Sequence, residues 1–443
     1  MTSESTANRV SATASASQAC DSAVTATVRI ARIAIDTPAA QYTSDGLFDY
    51  VASESDTVGR LAIVPFGART VVGLVVAIVD VPHVVAERLK ATASAVTDLT
   101  PFGDVWLRLN AFAARYYHRS IGEVALPSLP APLRKVDGYL RMDGASGASG
   151  DATLPAIERA IRRDARVRAR AAKAALPEAD PSPAFDLNDD QRAALATIAD
   201  AWSEGRRWAP MLLHGVTGSG KTAVYLQLVA DAIALRRQVL VLVPEINLTP
   251  QLAETFARRL PQASVATLHS GHAEGQRLHQ WWLAHEGHVD VLLGTRLAVL
   301  ASLPRLGLIV VDEEHDTSYK QHEGLRYSAR DLAIARAREG RDGRSIPIVL
   351  ASATPSIETW AQVERGRYDK ATLHRRAVAN ASLPTVRLVP LLRAETEHGL
   401  VRSVRSAIAE RIAGREPVLV FHNRRGYAPV IACGACGWTS GCP

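Results

Sequence analysis

The stretch MLLHGVTGSGKT, residues 211–222, decides the architecture. Its apolar start reads as a strand that runs into a glycine-rich loop. AVYLQLVADAIA, residues 223–234, follows as a helix. The octapeptide Gly215, Val216, Thr217, Gly218, Ser219, Gly220, Lys221 and Thr222 fits the phosphate-loop pattern in its required strand–loop–helix context. Glycines at these positions let backbone N–H groups curl around phosphate oxygens, and the helix N-terminus adds partial positive charge. Lys221 is placed to reach the β- and γ-phosphates of ATP, and the Thr222 hydroxyl to ligate Mg²⁺.

Further apolar strands lie on either side of this helix in the chain. They are PMLLHG (210–215), QVLVLVPE (238–245), VDVLLGT (289–295), LGLIVVDE (306–313) and IPIVLASAT (346–354), most of them separated by helices. Near-continuous apolar strands alternating with helices predict a parallel sheet covered on both faces, hence an α/β fold. DEEH, residues 312–315, ends one of these strands. Asp312 is placed to hold Mg²⁺ through water and Glu313 to polarise an attacking water. Alone, such a run could be a solvated strand end; beside a phosphate loop it predicts a hydrolytic site.

Three segments extend the site. Ser352-Ala353-Thr354 could link nucleotide state to a DNA-contacting loop. Gly294-Thr295-Arg296 carries donors suited to a phosphate backbone. Pro244-Glu245 and Thr249-Pro250-Gln251 follow another strand. SYKQHEGLRYSAR, residues 318–330, interleaves Tyr319 and Tyr327 with Lys320, Arg326 and Arg330. Rings with cations suit stacking on single-stranded bases; a polar surface loop is the plain alternative.

Upstream, VRIARIAI, RLAIVPF and TVVGLVVAIVD read as strands. A helix is predicted from Val105 to Tyr117, with Trp106, Leu109, Phe112, Ala113 and Tyr116 on one face. Residues 28–127 thus form a small β-rich domain. Residues 128–185 contain a flexible GASGASG link (144–150) and an Ala-rich helix, Ile157 to Leu176, carrying many arginines. That helix is either a solvated face or a phosphate-contacting one. Residues 1–27, mostly Ser, Thr and Ala, read as a disordered tail without a secretory signal.

Cysteines are few, and Cys433, Cys436 and Cys442 crowd the end of the sequence. Structural zinc takes four ligands in a tetrahedron, so these three are read as part of a Zn²⁺ site. A disulfide framework would be spread out, and local clustering fits a cytosolic protein better. Lys and Arg number 51 against 45 Asp and Glu, a net charge of +6, which permits a polyanionic partner. No run of about 18 uncharged apolar residues predicts a membrane span.

GVTGSGKTAVY, LVPEINLTPQ, LHSG, GTRLAVL, IVVDEEHDTSYKQHEGLRYSARDLA, SATPSIET, FHNRRGYAP and CGACGW together carry a family pattern. From about Val28 onward the sequence resembles the bacterial primosomal replication-restart helicases of superfamily 2. The resemblance implies a RecA-like motor lobe at residues 186–383 and the start of a second RecA-like lobe, with part of a zinc module, at 384–443. It also implies a domain at 28–127 that binds the 3′ end of a nascent DNA strand. Phe48-Asp49-Tyr50, Val64-Pro65-Phe66-Gly67 and Lys90 match that domain's motif positions, with Asp49 and Lys90 at the terminal nucleotide. Residues 128–185 occupy the place of the family's winged helix and are winged-helix-like or a linker. The second-lobe arginine finger, the remaining zinc ligands and the carboxy-terminal domain of the family are not found by residue 443, so a fragment is expected.

The resemblance further implies a 3′→5′ DNA helicase that recognises abandoned forks. Forked and single-stranded DNA, single-stranded-DNA-binding protein and other primosome proteins are the expected partners. A cytoplasmic, nucleoid-associated location follows. A duplex translocase and a non-catalytic fork-binding scaffold are the alternatives.

Overall fold

A computed structural model describes residues 28–38, 45–82, 89–141, 150–173, 187–244, 248–340, 344–377, 385–389, 396–421, 433, 435, 436 and 438. The tail at 1–27, Phe185, Glu245 and Cys442 lie outside these residues. The chain divides into two compact units, Met1–Ala379 and Asn380–Pro443.

The first unit begins with strands β1 (Ile30–Ile35), β2 (Phe48–Val51), β3 (Leu61–Phe66), β4 (Arg69–Val79), β5 (Lys90–Ala91) and β6 (Ser94–Val96). Helices α1 (Asp104–Tyr116) and α2 (Ile121–Ala125) follow, then β7 (Leu140–Arg141) and β8 (Gly150–Thr153). All eight strands join one mixed sheet in the order β5-β2-β1-β4-β3-β6-β8-β7. Alternation sets its two faces. Leu61 and Ile63 of β3 point into the core beneath α1, while Ala62 and Val64 join Ala31, Ile33 and Val75 on the other face.

Helix α1 buries Trp106, Leu109, Asn110, Ala113 and Ala114, spaced at i, i+3, i+4, i+7 and i+8. Tyr116, expected on that face, is 63% exposed because it lies off this stripe. The part of residues 128–185 that is described consists of 3₁₀ turns, the β7–β8 pairing and α3 (Pro155–Lys173). Through β6–β8 pairing this segment extends the upstream sheet.

The remainder of the unit alternates: α4 (Asp189–Ala201), β9 (Met211–Gly215), α5 (Lys221–Ala234), β10 (Gln238–Leu242), α6 (Leu248–Arg259), β11 (Val265–Leu268) and α7 (Glu274–His285). Then come β12 (Val291–Gly294), β13 (Leu306–Val311), α8 (Ala329–Glu339), β14 (Ile348–Ser352), α9 (Ile357–Glu364) and β15 (Asp369–Leu373). Seven strands form an all-parallel sheet, β11-β12-β10-β13-β14-β9-β15. Leu240, Leu242, Leu292 and Ile309 face one core; Val239, Val241, Leu293 and Val310 face the other. Burial on both faces explains why these strands read as unbroken apolar runs.

The two sheets share a core. Trp106 stacks on Phe102 at 4.1 Å, Phe102 meets Trp281 of α7 at 6.0 Å, and Trp106 Nε1 donates to Leu300 O at 2.7 Å.

The second unit holds a two-residue pairing of β16 (Thr396–Glu397) with β17 (Leu400–Val401), and α10 (Arg402–Ala413). In the apolar runs VRLVPL (386–391) and PVLVFHN (417–423), the described residues, 386–389 and 417–421, carry no pairing. Leu388 and Leu419 are 94% and 93% exposed. A strand exists only through its neighbours, and among the described residues none lies beside these runs. No helix among the described residues is long and apolar enough to cross a membrane.

Candidate nucleotide site and strand-contacting segments

Strand β9 ends at Gly215 and α5 begins at Lys221, so the intervening loop must turn within five residues. Gly218 and Gly220 make the turn with φ of 78° and 84°, a region that side chains rarely adopt. A Cβ on Gly220 would also lie 2.1 Å from Gln191 Nε2. Gln191 comes from α4, where Asn188 and Gln191 form a reciprocal capping box. Its Nε2 donates to Ser219 O at 3.2 Å. Ala377 N donates to Gly218 O at 2.8 Å. Two segments distant in sequence thus hold the loop.

Lys221 is buried, and its Nζ donates to Gly215 O at 2.9 Å. Ser219 Oγ is buried without a partner. Nothing stands within 4 Å of a Cβ built on Gly218. An ammonium resting on a carbonyl, an unsatisfied hydroxyl and open space beside a helix N-terminus fit the oxygens of a polyphosphate.

Asp312 lies at the end of β13, on the β10 side of the sheet, where its N–H donates to Leu242 O at 2.9 Å. Tyr225 of α5 donates its hydroxyl to Asp312 Oδ2 at 3.1 Å. Thr222 lies one turn before this tyrosine on the same helix. One buried phenol thereby links the helix that carries Thr222 to Asp312. Burial, with Glu313 alongside, raises the Asp312 carboxyl to about 6. Glu313 has φ of 45°, a strained value for a side-chain-bearing residue.

His315 Nδ1 lies 2.8 Å from Ser352 Oγ, and its Nε2 lies 3.4 Å from Thr354 Oγ1. The carboxylate motif and Ser352-Ala353-Thr354 are therefore joined. Glu314, which sequence reasoning assigned no task, is buried and makes four contacts with three residues. It accepts from Ser356 N at 2.7 Å, Ser356 Oγ at 3.1 Å and Thr359 Oγ1 at 2.9 Å, and pairs with Arg330 at 3.1 Å. Gln191, Tyr225 and Glu314 were all missed. Only Gln191 carried a signal, the Asn-x-x-Gln spacing of its cap.

The 318–330 segment requires a correction. Tyr319 and Tyr327 are buried at 2% and 4% exposure. Tyr319 OH donates to Asp312 O at 2.6 Å and lies 3.0 Å from Leu242 O, while Tyr327 OH reaches Arg296 O at 3.3 Å. Neither ring offers a face to a base; both pin the segment to the sheet. Lys320 and Arg326 are exposed, with Lys320 Nζ on Arg326 O at 2.8 Å. Arg296 Nη1 donates to Ser318 O at 3.1 Å.

In the upstream sheet, Tyr50 of β2 pairs in register with Lys90 of β5, so the two predicted segments are neighbours. Phe48 packs edge-on against Phe66 at 5.1 Å, and Tyr50 OH donates to Pro65 O at 3.0 Å. Asp49 has a side chain 3% exposed and lies 3.6 Å from Arg32, itself paired with Asp45 at 2.9 Å.

Cys433 and Cys436 are exposed. The Cys433 thiol is lowered, first by the Cys436 N–H, then by the Ala435 N–H and the Cys436 thiol. Among the described residues no three potential ligands gather.

Comparison with known proteins gives the class first. The DEAD/DEAH box helicase family model matches residues 188–363, and that of the 3′ DNA-binding domain matches residues 32–130. The chain carries a helicase domain behind a 3′ DNA-binding domain. Within that class it is similar to the replication restart proteins called PriA. It is 31% identical to the one from Haemophilus influenzae, over 94% of this chain and 61% of that protein. To that of Bacillus subtilis it is 40% identical, over 58% of this chain and 31% of that protein. To that of Rickettsia felis it is 32% identical, over 93% and 56%. The chain therefore spans less than two thirds of each of these relatives.

Proposed function

We propose that this chain supplies the ATP-binding and fork-recognising part of a 3′→5′ DNA helicase that restarts abandoned replication forks. The observation that carries the reading is the Tyr225–Asp312 hydrogen bond, made from the helix that begins with Lys221 and Thr222. It joins phosphate loop and carboxylate motif within one sheet, and that sheet shares its core with the 3′ DNA-binding domain.

When bound, Mg-ATP supplies the phosphoryl group whose hydrolysis drives the motor. Lys221 would exchange the Gly215 carbonyl for β- and γ-phosphate oxygens, together with backbone donors of residues 215–222. Thr222 and Asp312 would hold the metal, with Tyr225 orienting the Asp312 carboxylate. Glu313 would orient and accept a proton from the attacking water. His315 bridges this group to Ser352 and Thr354, so a change at the phosphates has a path to the loop beyond β14. Asp49 and Lys90 would read the terminal nucleotide, and Arg296, Lys320 and Arg326 would meet the strand backbone. Cys433, Cys436 and Cys442 would provide ligands to Zn²⁺. The domain limits would be 28–127, 128–185, 186–383 and 384–443, with primosome proteins and single-stranded-DNA-binding protein as partners in the bacterial cytoplasm.

A second reading, a non-catalytic fork-binding scaffold, is favoured by one observation: the unpaired runs at 385–389 and 416–421. ATP hydrolysis and strand displacement on a forked substrate decide between them. A motor displaces the strand only with ATP; a duplex translocase hydrolyses ATP without displacement; a scaffold binds and does neither.

A further inference from the structure

A cavity of about 900 Å³ opens at the seam between the two sheets, and shares no residue with the phosphate loop or the carboxylate motif. One wall is the start of α1, residues Gly103 to Trp106; another is α8, through Arg336. Arg336 is 2% exposed, and its Nη1 donates to Val299 O at 2.7 Å while its Nε has no partner. No carboxylate pairs with it among the described residues, and burial alone pushes the guanidinium down to about 9. A lone buried cation is costly unless something neutralises it.

The α1 wall supplies donors of a second kind. Gly103, the residue before the helix, places no side chain on the first amides. Trp106 N and Leu107 N turn to Gly103 O, which leaves the Asp104 and Val105 amides as the orphan donors of the first turn. The two walls are close: Trp106 Nε1 and Arg336 Nη1 donate to the consecutive carbonyls of Leu300 and Val299. The acids around the cavity are engaged or peripheral. Asp104 pairs with Arg108, Glu286 accepts from Thr100, and Glu339 is exposed beside the equally exposed Arg338.

From this juxtaposition we infer that the seam cavity binds a phosphate group, held between the Arg336 guanidinium and the N-terminus of α1. A guanidinium and a helix N-terminus on the walls of one cavity both favour a phosphate's charge. Bound there, the anion would neutralise Arg336 and tie the 3′ DNA-binding domain to the motor sheet.

The test is calorimetric titration of inorganic phosphate into the full chain in a Lys221→Ala background, so that the phosphate loop does not report. Saturable binding is expected, weakened about tenfold or more in Arg336→Met, a loss of about 1.4 kcal/mol per tenfold. Removing an unpaired buried charge leaves the fold intact or firmer. If Arg336→Met nonetheless fails to fold, Arg336→Lys decides, since it keeps the charge and loses the planar fork; a several-fold weakening is expected. Repeating the titration with saturating oligothymidylate names the source: a vanished isotherm assigns the site to DNA backbone phosphate, an unchanged one to free phosphate. Absence of saturable binding with Arg336 in place, or equal affinity with and without its guanidinium, overturns the inference.

Discussion

QVLVL at 238–242 and PVLVF at 417–421 are almost the same string, and their fates are opposite. The first is β10, fully buried and paired with β12 on one side and β13 on the other. The second carries no pairing, and its four apolar side chains are between 37% and 93% exposed. Alternation of branched residues therefore states what a segment can become. The neighbours in space decide whether it does, because ladder hydrogen bonds and two covering faces supply the stabilisation.

The largest expected effect breaks that comparison directly. Leu240→Asp buries an unpaired carboxylate between two covered faces and should cost about 4 kcal/mol or more, enough to unfold the parallel sheet. Leu419→Asp, at the matching position of the exposed run, should stay within about 0.5 kcal/mol. Urea denaturation followed by circular dichroism compares them; equal losses would mean that the second run is also built into a sheet. Trp106→Ala comes next, at about 3–5 kcal/mol, because the indole belongs to the core of both sheets. A single broadened or lowered transition is expected by calorimetry, and an unchanged motor-sheet transition would show that the shared core is unimportant.

Tyr319→Phe sharpens the reading of the 318–330 segment. A ring that stacks on bases keeps that capacity without its hydroxyl. A ring whose hydroxyl is bonded inside the sheet loses about 1–3 kcal/mol of stability when the hydroxyl goes. Thermal melts are expected to show that loss, with single-stranded-DNA affinity falling only in proportion to unfolding.

Asp49→Ala should have a selective effect on binding. Preference for DNA with a free 3′ end over a blocked one is expected to vanish while salt-dependent binding persists. The full chain is the proper material. β8 and the α1 core contacts complete the upstream sheet, and a fragment ending at residue 127 would lack them. Wild-type protein without end preference would return Phe48, Asp49 and Tyr50 to structural roles.

Much of the parallel sheet was legible because a strand buried on both faces has no freedom in its pattern. β9, β10, β12, β13 and β14 all read directly from their apolar runs. β11 and β15 did not: Val265–Leu268 and Asp369–Leu373 lie at the two sheet edges and are only partly buried. The phosphate loop was legible because backbone geometry demands those glycines at those positions. Tyr225 was not, since an aromatic on an apolar helix face looks the same whether or not its hydroxyl reaches a carboxylate. Tyr319 and Tyr327 misled for a related reason. Rings alternating with cations describe a base-stacking surface and a tightly pinned loop equally well, and only burial separates them.

The central claim is that residues 215–222 and 312–313 form an ATP site. Calorimetric titration of Mg-ATP into the full chain and into Lys221→Ala tests it most directly. Saturable binding by the wild type, weakened by about tenfold or more in the variant, is the expected result, a difference of about 1.4 kcal/mol per tenfold. Equal affinity in the two proteins would contradict the account.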